Sequence, residues 1–157
     1  MPMRTLVRYL DKNRVGYMTI NHPYAVTAQE IAEKAHISGR ELAKTVMLKV
    51  DAELIMAVLP ANGSVDLDAV RSTFMASTVE IAGEEDFGGL FPECEIGAMP
   101  PFGNLFGLRV YVDSDLAGDN HIAFTAGTHR EVIMMPYRDY ERLVRPAIMS
   151  FGKTGVA

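Results

Sequence analysis

The chain has 157 residues, 48% of them hydrophobic and 22% charged, with a net charge of −5. That size and balance suit one globular domain over residues 1–157 that folds without a disulfide or metal staple; a lone cysteine, Cys94, excludes an internal disulfide and fits a reducing compartment. The acidic balance excludes a protein that grips long stretches of nucleic acid. No apolar run approaches the roughly 20 residues of a membrane span, and charges interrupt the first residues too often for a signal peptide, so a soluble, cytoplasmic chain with no membrane partner is expected. Charge is uneven along the chain. Residues 1–50 hold eight basic against four acidic residues, so any contact with RNA is expected to fall mainly in that third.

Met3, Leu6, Val7 and Leu10 recur at helical spacing and predict a first helix that Gly16 ends. Arg4, Arg8 and Lys12 form a second stripe on it, either a solvated face or a contact for an RNA backbone. Tyr17 to Asn21 reads as a short strand broken by Pro23. Thr27-Ala-Gln-Glu30 is a capping box that opens a helix carrying Ile31, Ala32 and Ala35 inward. Two apolar runs, 45–50 and 54–59, flank Asp51-Ala52-Glu53 and predict a hairpin. A loop over 60–64, a helix over 65–74, a strand over 78–81 and a short acidic helix over 83–91 are expected next. The stretch 97–107 holds three glycines and two prolines, too many for a regular element. Strands at 108–113, 121–125 and 131–135 follow, then a helix over 136–144 with Pro136 in its first turn. The last dozen residues are expected to fray. Strands and helices intermix, so the expected class is α+β with a mixed, largely antiparallel sheet.

Few residues carry recognisable chemistry. Lys44 stands where the chain enters an apolar strand; it either reaches over a pocket as a compact point charge for a phosphate or carbonyl oxygen, or lies along the strand end with its ammonium in water. The 97–107 loop is either a tight connection or a stiff cradle of backbone amides for an oxyanion or phosphate. It lacks the Lys-Ser/Thr ending of a P-loop, which excludes nucleoside triphosphate binding of that kind. Gly127 and His129 sit between two strands, as turn residues or beside a ligand. His22, His36, His121 and His129 show no metal-ligand spacing with one another or with Cys94, and neither HExxH nor CxxC occurs, so no metal and no cofactor are expected. Cys94 lies between Glu93 and Glu95, which oppose a thiolate, and no serine occupies a nucleophile elbow. With no covalent nucleophile in view, either water attacks or there is no catalysis.

In order along the chain, His22-Pro23 before Thr27-Ala-Gln-Glu30, Ala43-Lys44-Thr45 entering a strand, Gly97-Ala-Met-Pro-Pro-Phe-Gly103 and Ala126-Gly127-Thr128-His129 resemble the YbaK-type aminoacyl-tRNA deacylases, the prolyl-tRNA-synthetase-associated editing domains. The resemblance implies a compact α+β domain with a mixed, partly barrel-like sheet ringed by helices. It implies hydrolysis of the ester that joins a wrong amino acid to the tRNA 3′ end. It assigns Lys44 to the terminal phosphate and ester, Gly97 to the glycine of a G-x-x-x-P loop closed by Pro101, and His129 to the substrate amino group. Around the substrate it implies His22, Thr45, Ala98, Met99, Pro100, Pro101, Phe102, Gly127 and Thr128, with Arg4, Arg8 and Lys12 on the tRNA backbone. The implied partner is a tRNA acceptor end carrying a wrong amino acid, with an aminoacyl-tRNA synthetase left open as a second. Thr45 stands where members acting on alanine carry asparagine, which leaves the amino acid undetermined. A non-catalytic module binding the tRNA end or a nucleotide would use the same lysine and loop.

Overall fold

The computed structural model describes residues 3–154. The first helix, α1 (Arg4–Lys12), buries Leu6 and Leu10 and leaves Val7 half-buried. It ends before Gly16, because Asn13 caps it and Arg14 turns into the left-handed region at φ 57°. Its start is tied down from outside, since the Met3 N–H donates to the Ala126 carbonyl at 2.7 Å. Strand β1 (Met18–Asn21) follows, then α2 (Ala28–Lys34), capped as its sequence predicts. The Thr27 hydroxyl oxygen accepts from the Glu30 N–H at 3.1 Å and donates to the Glu30 carboxylate at 2.9 Å.

Strands β2 (Ala43–Val50) and β3 (Glu53–Pro60) form the hairpin, with Lys44 opposite Leu59 and Val50 opposite Glu53. The two-residue turn puts Asp51 and Ala52 at φ 48° and 73°, matching the twist of the strands at a conformational cost that glycine would not bear. The Asp51 carboxylate accepts from the Thr78 and Ser77 amides, which holds its pKa below the ordinary carboxylate value. Alternation along β3 explains why the run is apolar throughout. Met56 and Val58 face one core, while Ile55, Ala57 and Leu59 face another under α3 (Leu67–Phe74).

Beyond α3 come β5 (Val79–Ile81, after the short β4 at Gly63–Val65), α4 (Glu84–Phe87) and a single 3-10 turn, Gly103–Phe106. Then follow β6 (Val110–Asp113), α5 (Ser114–Ala117), β7 (His121–Thr125), β8 (Glu131–Pro136) and α6 (Tyr137–Val144), with Pro136 at the N-cap rather than inside the first turn. Of the last dozen residues, expected to fray, strands β9 (Ala147–Met149) and β10 (Gly152–Thr154) are formed, while 155–157 lie outside the described residues. Buried Asp113 holds them. Its carboxylate accepts from the Phe151 and Gly152 amides at 3.0 and 2.7 Å.

The five-stranded sheet runs β5-β2-β3-β6-β9, with β6 parallel to both neighbours and the other pairs antiparallel. A three-stranded antiparallel sheet, β1-β8-β7, stands beside it, and β4 pairs with β10. This is the expected α+β arrangement with mixed, largely antiparallel pairing. A lone parallel bridge between Leu42 and Ala123 stitches β7 to the segment that enters β2. It fixes Lys44 at the seam between the two larger sheets, where Ile31 of α2, Leu42 and Val132 pack in a small core of their own. Among the described residues, no helix is long and apolar enough to cross a membrane.

Candidate active site

At that seam lies a cavity of about 180 Å³. Val26, Ala28, Ile31 and Leu42 form its apolar wall; Lys44, Thr45 and Thr125 supply polar side chains, and Gly97 closes it from the loop. Lys44 and Thr45 of β2 and the distant loop residue Gly97 thus share one hollow. A larger cavity, about 350 Å³, lies at the far end of the hairpin among Phe74, Arg109 and Tyr111 and holds none of the expected residues.

Lys44 lines the hollow, and its half-buried position strips water from the ammonium, so its pKa falls below the ordinary lysine value. No carboxylate among the described residues contributes to that shift, which leaves the charge available to an anionic ligand.

The loop is more committed to the core than its composition suggests. Ala98 and Phe102 are fully buried, and their amides already donate to the Glu95 and Pro100 carbonyls at 3.0 and 2.8 Å. The Phe102 ring packs edge-on against Tyr9, Phe124 and Tyr140, and the Pro101 carbonyl accepts from the Tyr140 hydroxyl at 2.6 Å. Pro100 and Met99 are buried as well. Of the expected run of exposed amides, only Gly97 reaches the cavity. It adopts φ +86°, and a Cβ there would stand 3.6 Å from His129 Cε1.

His129 is buried beside the loop rather than among the cavity-lining residues. Its Nε2–H donates to the Ile96 carbonyl at 2.8 Å, a carbonyl being an acceptor only, and its backbone N–H donates to Glu95 Oε1 at 2.6 Å. Its Nδ1 is buried with no partner among the described residues. The loop 95–98 is therefore pinned to the 126–130 turn at several points, including Glu95 N–H to the Gly127 carbonyl at 2.7 Å and Gly127 N–H to the Ala98 carbonyl at 2.9 Å. Gly127 is structural in this sense. It sits at φ +95°, and a Cβ would come within 2.9 Å of Met3 Cβ. The Thr128 hydroxyl turns to Glu131 at 3.3 Å. His22 is buried outside the cavity lining, its Nδ1–H donating to the Pro23 carbonyl at 2.7 Å.

Arg4, Arg8 and Lys12 are exposed on α1 and line no part of the cavity; near the start of that helix Thr5 hydrogen-bonds Glu93. The Cys94 thiol is pushed up to about 11 by burial and by neighbouring Glu93, which removes it as a nucleophile. Among the described residues no group of three or more His, Cys, Asp or Glu is placed to hold a metal ion.

The family profile of the aminoacyl-tRNA editing domain matches residues 22–143. The chain belongs to this family. This editing domain is 23% identical over 154 residues to the multifunctional Ser/Thr-tRNA deacylase ProXp-y of Escherichia coli strain K12, covering 95% of the chain and 92% of that protein. It is 27% identical over 89 residues to a proline–tRNA ligase of Bacillus mycoides, of which it spans only 16%. Its fold also matches the crystal structure of a candidate trans-editing enzyme for prolyl tRNA synthetase, with a TM-score of 0.81, 19% identity and 96% coverage of each chain.

Proposed function

We propose that this editing domain acts as one unit in the cytoplasm. It hydrolyses the ester between a wrong amino acid and the tRNA 3′ end, working in trans, with water as the nucleophile. The observation that carries the reading is the meeting of Lys44 and a loop glycine, Gly97, on a single small cavity. A synthetase pocket rejects a smaller apolar amino acid by only about 1–3 kcal/mol per missing methylene, so a second hydrolytic site is needed to remove errors.

In this reading Lys44 binds the phosphate next to the terminal adenosine and holds the ester at the cavity mouth. The Gly97 N–H donates to the ester carbonyl as it becomes an oxyanion, worth roughly 3 kcal/mol for one well-aimed donor. Water adds to the carbonyl carbon, the bond to the ribose oxygen breaks, and that oxygen leaves as the ribose hydroxyl. The role for His129 differs from contact with the amino group. A peptide is planar, with C=O and N–H pointing opposite ways, so the His129 bond to the Ile96 carbonyl fixes the direction of the Gly97 N–H. Val26, Ala28, Ile31 and Leu42 face the amino acid side chain, and the tRNA acceptor end is the partner.

The test is a deacylation panel of alanine, serine, cysteine and threonine, each on several tRNAs. At least one ester is expected to turn over well above the spontaneous rate. Lys44→Ala is expected to abolish that turnover with an unchanged circular dichroism spectrum. Binding of mischarged tRNA without turnover by the wild type would refute the hydrolase reading, and full activity in Lys44→Ala would refute the role of the lysine.

A further inference from the structure

Next to the cavity mouth stands an aromatic side chain that the site described above does not use. Tyr24 is 49% exposed, two residues before the cavity-lining Val26. An exposed tyrosine is ordinarily free to change rotamer, but this one is held. The His129 ring meets it nearly edge-on, with centroids 5.5 Å apart and planes at 69°. The Arg130 guanidinium lies over its ring, 5.3 Å from the centroid. Its backbone carbonyl accepts from Lys34 Nζ at 3.3 Å, and the next amide, Ala25 N–H, donates to the His129 carbonyl at 3.2 Å. A pre-positioned ring thus carries one cation, Arg130, over its face, a second, Lys34, binds its backbone carbonyl, and a third, Lys44, lines the neighbouring cavity. The one carboxylate in this hydrogen-bonded set, Glu95, is committed to the His129 N–H.

We propose that Tyr24 and Arg130 form a stacking platform for a nucleobase of the single-stranded tRNA 3′ end, with Lys34 and Arg130 serving the adjoining phosphates. This rests on the deacylase reading, because that reading puts the terminal nucleotides at this rim. Flat, sequence-tolerant stacking on an aromatic ring or a guanidinium plane is the usual way in which unpaired bases are held. The platform also explains how an acidic protein takes an RNA substrate: it grips a few nucleotides at the end and leaves the duplex alone. It moves the RNA contact away from the Arg4, Arg8 and Lys12 stripe to the edge of the cavity.

The test compares two esters of the same amino acid, one on a CCA trinucleotide and one on methanol. Tyr24→Ala is expected to lower the ratio of kcat/KM for the trinucleotide ester over the methyl ester by about tenfold, through KM. Tyr24→Phe is expected to keep the ratio within about twofold of wild type, and Arg130→Ala to lower it severalfold. Equal losses on both esters, or an unchanged ratio in Tyr24→Ala, would overturn the platform. Should the wild type hydrolyse neither ester, the deacylase reading fails, and anisotropy of a labelled CCA-ended RNA decides the platform alone. Binding about tenfold weaker in Tyr24→Ala but retained in Tyr24→Phe supports it, and equal binding by all three proteins overturns it.

Discussion

At Lys44 the folded chain binds a proton less tightly than the unfolded chain, because half-burial desolvates the ammonium. Unfolding therefore takes up a proton between the lowered value and the ordinary lysine value of about 10.4. The cost to stability is present at neutral pH and is relieved as the pH rises through the lowered value. Lys44→Met is accordingly expected to raise Tm by about 1–2 °C at pH 7, read by calorimetry, while deacylation is lost. Affinity for a non-hydrolysable amide analogue of the substrate is expected to fall, on raising the pH, earlier than an ordinary lysine would give. The two site glycines should separate in the opposite sense. Gly127→Ala combines a left-handed backbone with a 2.9 Å approach to Met3 Cβ, so about 2–3 kcal/mol of unfolding free energy should be lost, read from urea unfolding. At Gly97 the nearest atom is 3.6 Å away, so alanine should cost only about 1 kcal/mol. Its methyl would meet the His129 ring that orients the Gly97 N–H, and kcat/KM should fall more than tenfold. Lys44, Thr45 and Gly97 were legible in the sequence because their residue types and order carry chemistry. The direction of the His129 ring and the burial of Ala98, Met99 and Phe102 were not, because both depend on which distant element lies behind the loop.

Among the elements, those specified locally were readable and those specified by remote partners were not. The Thr27 cap, the β2–β3 hairpin and β7 follow from side chains within a few residues of one another. Strands β4, β9 and β10 have too few residues to declare themselves, and they become strands by pairing with segments far away in sequence. The four-residue α5 is missed for a different reason: its cap is local, the Asp113 carboxylate accepting from the Asp115 amide at 3.2 Å, but one turn is too short to show a helical period. Asp113 serves that helix and the turn between β9 and β10 at once. Asp113→Ala leaves those amides without their acceptor and should destabilise the fold by about 2–4 kcal/mol, measured as a lower urea midpoint. Amide exchange is expected to rise first in residues 147–154, before the hairpin is affected.

On the scale of the whole molecule, charge and shape agree on how much RNA is held. The net charge of −5 opposes a long duplex contact, and the cations at the cavity rim are few. Two or three neutralised phosphates predict a slope of about −2 for log affinity against log salt on the 3′ end. A slope of −5 or steeper on intact tRNA would mean that α1 and further surface take part. The Asp51-Ala52 turn bears on what the fold can tolerate. Replacing Ala52 by glycine would relieve a left-handed alanine at the end of the hairpin remote from Lys44, raising Tm by about 1–2 °C. Such headroom would absorb damaging changes at Val26, Ala28 or Ile31, so retuning the choice of amino acid need not come at the expense of a folded enzyme.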